Sequence, residues 1–315
     1  MSMAALLGAV VGLVVVVVIV LIGYLARRFN VLDVDAEKVL NKVAFSIGLP
    51  ALYFALVSQS SMEILLSTFF LAVVIASVIC LIFVIVGLLL VKRRNPAEIT
   101  LYSGLALFTN AGNMGIPVAL ALVNDATYLA PIILMQVLIL SPVMVIILDF
   151  TTSKSPQSIR SWKTLAKPFI NPIVISSGSA LALNLLGVQL PQYLLSPIQA
   201  IGNASIPMLL IAFGMSIFGI RLFRETRRDF APMVLIVGIK TVLLPVATYL
   251  VAAHAFSLSG VELLMITIAA ALPSAASVYN FSTQYNTLVP VSREIVLITT
   301  VLSIPTILLV AALLG

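Results

Sequence analysis

Charge is scarce in this chain. Only 9% of its 315 residues are Asp, Glu, Lys or Arg, against roughly 25% in a soluble globular domain, and that deficit excludes a water-soluble fold. One histidine and one cysteine are too few for a clustered metal centre or an intrachain disulfide, so no metal or other cofactor is expected. Cys80 reads as a buried, inert thiol. Acid at depth is missing too: Glu63, Asp125 and Glu262 lie at one edge of the apolar runs, Asp149 lies near the other, and the remaining acids fall in connecting segments. That placement leaves no buried carboxylate relay. It also denies a membrane-embedded hydrolase its general base or its metal ligands, so an enzyme is not expected. The lone His254 reads as an exposed polar residue of a loop.

What is present is apolar. The hydrophobic fraction is 62% and the mean hydropathy is +1.22, which places the chain in a lipid bilayer. A spanning helix takes ~20 apolar residues, so there is room for about ten. They are expected near residues 4–26, 38–57, 66–91, 98–122, 129–149, 169–187, 194–219, 230–252, 261–283 and 292–314. The first run is too long for a signal-peptide core, with no basic residue before it, and is expected to be retained.

Basic residues follow the odd-numbered runs. Arg27 and Arg28 (with Lys38 and Lys42), Lys92 to Arg94, Lys154 to Lys167, Arg221 to Arg228, and Arg293 occupy alternate connections, and the intervening ones hold none. Lys and Arg mark cytoplasmic loops, so this alternation places both termini outside. The net charge of +6 is thereby explained by topology, without nucleic acid. Trp162 reads as an interfacial anchor, and Gly8 with Gly12 as a small-residue pair for close helix packing.

Prolines reveal a repeat. Pro50 pairs with Pro207, Pro117 with Pro273 and Pro142 with Pro305, each at an offset of about 160 residues and each in the corresponding run of the other half. Two five-span halves, 1–150 and 169–315, joined by a linker at 151–168, then enter the membrane from opposite sides, as an inverted repeat. The fourth run reads Asn110-Ala-Gly-Asn-Met-Gly-Ile-Pro117. Gly costs ~1 and Pro ~3 kcal/mol relative to Ala in a helix, so the run is expected to unwind between Asn110 and Pro117. The ninth run holds the counterpart, Pro273-Ser274-Ala-Ala-Ser277. If both break and cross, their half-helix N-termini favour a small anion at mid-membrane. Asn110, Asn113, Gly115, Pro117, Pro273, Ser274 and Ser277 are the candidate crossing or substrate residues.

Lys240 is the one basic residue that topology leaves unexplained. A cation at mid-span costs ~2.5–3.5 kcal/mol on insertion scales. It either neutralises the half-helix C-termini or meets the substrate's negative charge.

With Asn41 ahead of Leu49-Pro50, the Asn110 to Pro117 segment, Asn171-Pro172, Ile206-Pro207 with Gly214, Lys240 with Pro245, and Ala271-Leu-Pro273 leading to Tyr285-Asn286, nearly the whole chain resembles the auxin efflux carrier family. That family includes bacterial malonate and malate permeases and plant PIN carriers. The resemblance implies an all-α integral membrane fold of ten transmembrane helices, in which helices 4 and 9 are interrupted and cross. It implies a scaffold from spans 1, 2, 6 and 7, a transport domain from spans 3–5 and 8–10, elevator-like transport of a small organic anion, and a homodimer. The short, basic segment 151–168 differs from the long hydrophilic loop common in plant members. It favours a prokaryotic permease of the bacterial inner membrane. A sodium-coupled symporter of the bile-acid type and a non-transporting sensor with the same fold are the alternatives. The substrate's identity, the coupling ion and the direction of flux stay open.

Overall fold

The computed structural model describes residues 3–59, 67–91, 95–125, 127–152, 171–218 and 229–315, with backbone alone at 3–13, 15, 16, 34, 113, 117 and 121. Glu63, Lys92 to Arg94, Lys154, Arg160, Trp162, Lys163, Lys167 and Arg221 to Arg228 lie outside the described residues, as do the contacts of Gly8 and Gly12.

The described chain is helical, with no strand among its residues. The elements are α1 (Met3–Arg28), α2 (Asp35–Ser58), α3 (Thr68–Val91), α4 (Pro96–Leu107), α5 (Ile116–Val123), α6 (Thr127–Thr152), α7 (Pro172–Leu185), α8 (Gln192–Ile217), α9 (Phe230–Ala255), α10 (Gly260–Ala271), α11 (Ala276–Gln284) and α12 (Val289–Leu314). Among the described residues, six of these (α2, α3, α6, α8, α9 and α12) are long and apolar enough to cross a membrane. The ranges follow the apolar runs of the sequence closely. Two of those runs are interrupted. The fourth divides into α4 and α5, and the ninth into α10 and α11.

Several helices accommodate a proline by the same device. Pro50, Pro117, Pro142 and Pro245 each follow a five-residue π turn: Ala44–Gly48, Ala111–Gly115, Gln136–Leu140 and Ile239–Leu243. Proline brings no N–H and its ring clashes with the carbonyl four residues back. In each case the residue before proline donates five residues back instead: Leu49 to Ala44, Ile116 to Ala111, Ser141 to Gln136 and Leu244 to Ile239. The wider turn absorbs the proline without ending the helix. This shifts the break in the fourth run from its expected place. Irregular backbone occupies only 108–110, and Asn113, expected in an unwound segment, lies on helical backbone.

Glycine sets the closest helix approach. A Cβ on Gly214 of α8 would lie 2.0 Å from the Val20 carbonyl oxygen of α1, and one on Gly23 of α1 would lie 2.1 Å from the Ile211 oxygen of α8. The two helices therefore touch backbone to backbone in both directions, which side chains of any size prevent. Two apolar clusters flank the interruptions. One holds Phe45, Phe108, Tyr279 and Phe281, and the other holds Ala111, Met114, Ile266 and Leu272. Phe281 stacks edge-on with Phe45 at 5.7 Å and with Phe108 at 6.3 Å between ring centroids.

Arg293 and Glu294 depart from the sequence reading. Arg293 was counted with the cytoplasmic connections at the edge of the expected run 292–314, but Pro290 starts α12 early and both residues sit inside its first turns, buried. The Arg293 Nη1 donates to the Ser216 carbonyl at 3.0 Å, a partner at the end of α8 that caps a helix C-terminus with a cation. His254 likewise lies on the final π turn of α9 rather than in a loop, and it is exposed as expected.

Candidate functional site at two interrupted helices

The two interruptions meet. Thr109 and Ser274 form an isolated antiparallel bridge, in which the Asn110 N–H donates to the Pro273 carbonyl at 2.9 Å and the Ala275 N–H to the Phe108 carbonyl at 3.3 Å. Each broken helix thus satisfies the other's freed backbone, the requirement for non-helical chain at membrane depth. Pro273 supplies a carbonyl and no donor, which suits its place. Ser274 is fully buried; its hydroxyl donates to the Leu105 carbonyl at 2.5 Å and its N–H to Thr299 Oγ1 at 3.2 Å. Gly115 lies against the other broken helix, since a Cβ there would sit 2.8 Å from Leu272 Cδ1.

Donors around the bridge are left over. Among the described residues the N–H groups of Gly112, Ala276 and Ser277 have no hydrogen-bond partner. Neither does the Asn110 side-chain amide, although Asn110 is only 7% exposed. These groups line one cavity of about 230 Å³, bounded by α2, α6 and α8. Gln136 and Tyr53 complete its polar wall. The Gln136 Nε2 donates to Thr109 Oγ1 at 2.8 Å, and the Tyr53 hydroxyl shares a hydrogen with Ser141 at 3.1 Å. Unpaired donors that face a cavity favour an acceptor, and half-helix N-termini attract negative charge. Chemically, the arrangement can receive an anion.

A second, apolar cavity of about 450 Å³ lies toward the end of the bundle that carries Arg27 and Arg28, between α1, α8 and α12. Asn110 and Ala276 line both cavities. At that same end α11 is tied to its neighbours. The Tyr279 hydroxyl donates to Glu37 at 2.6 Å, Asn280 Nδ2 donates to the Asn41 carbonyl and side-chain oxygens at 3.0 and 2.9 Å, and the Tyr285 hydroxyl donates to Asp149 at 2.9 Å. At the opposite end Asp125 accepts the Thr127 N–H at 2.8 Å, which holds its carboxyl below the ordinary range.

Of the sequence candidates, the structure brings Asn110, Pro273, Ser274 and Ser277 to the bridge or its cavity, with Gly115 packed behind it. The side chains of Asn113 and Pro117 lie outside the described set. Lys240 stands apart. It is fully buried on the π turn of α9, its Nζ has no hydrogen-bond partner among the described residues, and it does not line the cavity. Its turn packs against α3, α4, α10 and α12. Sequence reasoning missed Tyr53, Thr109 and Gln136. Only the coincidence of polar residues in three separate apolar runs pointed to them.

A family model described as membrane transport protein matches residues 9–311. A protein of Rhizobium meliloti (strain 1021) named "Putative malonate transporter" is 27% identical over 298 residues, covering 92% of this chain and 90% of that one. An uncharacterized transporter of Methanocaldococcus jannaschii is 23% identical over 312 residues, covering 96% of each. A helical membrane chain whose matched region takes in both interrupted helices and nearly everything between its ends belongs to the membrane transport protein family, that of the auxin efflux carriers.

Proposed function

We propose that the protein is a secondary transporter of small organic anions, mono- or dicarboxylates, which binds them where the two interrupted helices cross. The observation that carries this reading is the set of unpaired donors, Asn110 Nδ2 with the Gly112, Ala276 and Ser277 N–H groups, around one 230 Å³ cavity. A carboxylate supplies the acceptors they lack. The name of the Rhizobium relative supports malonate as the first substrate to try.

Alternating access is the mechanism we infer. Asn110 and Ala276 line cavities on both sides of the bridge, so small relative movements of the bridge expose the same groups to either side. In this reading the chain is two inverted five-span halves, with the termini outside. α1, α2, α7 and α8 form the scaffold, the remaining elements carry the site, and two copies associate. The bonds from α11 to Glu37 and Asn41 join the moving part to the scaffold at the cytoplasmic end and must break in each cycle. Lys240 serves the crossing from behind. Its turn packs against α4 and α10, the half-helices whose C-termini meet there, and a cation near helix C-termini is stabilising. Asn113 and Pro117 contribute from the N-terminal side of α5.

Uptake of labelled malonate into liposomes containing the purified protein tests the reading, with and without a sodium gradient. Saturable uptake above protein-free liposomes is expected. Uptake that requires sodium supports a sodium-coupled symporter, and specific binding without uptake supports a sensor. Neither binding nor uptake of any small carboxylate overturns the proposal.

A further inference from the structure

We infer that the site accepts an organic acid as its monoanion, so that a dicarboxylate is carried with one carboxyl protonated. The inference rests on the proposed anion site and concerns the charge that site can hold. Among its described lining residues no side chain carries a charge. The polar wall consists of Tyr53, Thr109, Asn110, Gln136, Asn203 and Ser277. The second cavity is likewise lined without a charged side chain.

Positive potential at the site therefore comes from backbone. Two half-helices begin there, one at the Ala111–Gly115 turn leading into α5 and the other at α11. Each helix N-terminus is equivalent to about half an elementary charge, and two together to about one. That balances one carboxylate. A second ionised carboxylate in the same cavity would meet amides and hydroxyls but no charged side chain among the described lining residues, and drawing a charge out of water without a counter-charge is opposed. A protonated carboxyl fits the same wall, since its O–H donates and its carbonyl accepts, and the amides of Asn110 and Gln136 offer both kinds of partner.

Lys240 makes no wall of the site, and its cation is assigned to the half-helix C-termini. It lies behind the bridge against α4 and α10 and does not line the cavity. Gln136 is the lining side chain whose replacement tests the cause directly. It projects from the π turn of α6 to Thr109, beside the free donors.

The test uses the purified full-length protein and two probes, malonate and monomethyl malonate, with dissociation constants measured by titration calorimetry across about pH 5 to pH 8. Monomethyl malonate is a monoanion throughout, so its affinity should not change. Malonate affinity should weaken about tenfold per pH unit above its second pKa, following the vanishing monoanion. A folded Gln136→Lys variant should flatten the malonate slope by supplying the missing counter-charge. Malonate affinity independent of pH overturns the inference, because the dianion then binds. Equal slopes for both probes also overturn it, since a titrating protein group is then responsible, and so does a Gln136→Lys variant that binds with the wild-type slope. Failure of both probes to bind at any pH tells against the anion site itself.

Discussion

The two interrupted helices solve one problem in opposite ways. In the ninth run the interruption is closed: Ser274 is fully buried, its hydroxyl held by Leu105 and its N–H by Thr299. In the fourth run the interruption is open, with Asn110 lining two cavities and its amide unpaired among the described residues. Both are required, because each satisfies the other's backbone across the Thr109 to Ser274 bridge. The difference teaches that a broken helix pair can divide its duties. Ser274 fixes the geometry, Asn110 offers the free side-chain donor, and both broken helices present free N–H groups.

That division is most exposed to substitution on the closed side. Ser274→Val should lose both the hydroxyl's bond and its fit, lowering stability by about 2 kcal/mol. The fall should appear as a reduced melting temperature of the purified protein without ligand. An unchanged melting temperature would mean that the closed side does not hold the bridge. Lys240→Met should lower ligand-free stability by about 1 kcal/mol, the scale of a helix-terminus interaction, and leave the dissociation constant for malonate unchanged. A weakened dissociation constant with unchanged melting would instead assign Lys240 to the substrate. On the open side Asn113→Ala should reduce malonate uptake by about threefold, the scale of a weak hydrogen bond, with normal insertion. Wild-type uptake would remove Asn113 from the site.

Much of this division could be read in the sequence, and the unread part has a physical pattern. The apolar runs gave the helix positions, because spanning length and hydropathy are local properties. Asn110 and the two prolines at 117 and 273 marked the interrupted runs. The exact backbone of the first break was not visible, since a π turn before Pro117 keeps Asn113 helical. Pairings between distant helices were not visible either. Gln136 reaches Thr109 and Asn280 reaches Asn41 because particular helix faces meet, and hydropathy does not say which. The burial of Arg293 and Glu294 was hidden for a similar reason: their charge suggested the cytoplasmic edge of the last run, whereas Pro290 at the helix start sets both a turn deeper in α12. The two cavities were legible only once the helices that line them were in place, α2, α6 and α8 around the polar one and α1, α8 and α12 around the apolar one.

The account's central claim is that the open side binds the substrate, and Asn110→Ala tests it most directly. Malonate uptake into liposomes and ligand-free melting temperature should be measured on the same purified variant. A lost charge-assisted hydrogen bond is worth ~1.5–3 kcal/mol, so uptake at subsaturating malonate should fall at least about tenfold while the melting temperature stays near that of the wild type. Wild-type uptake by the folded variant would contradict the claim and place the substrate elsewhere.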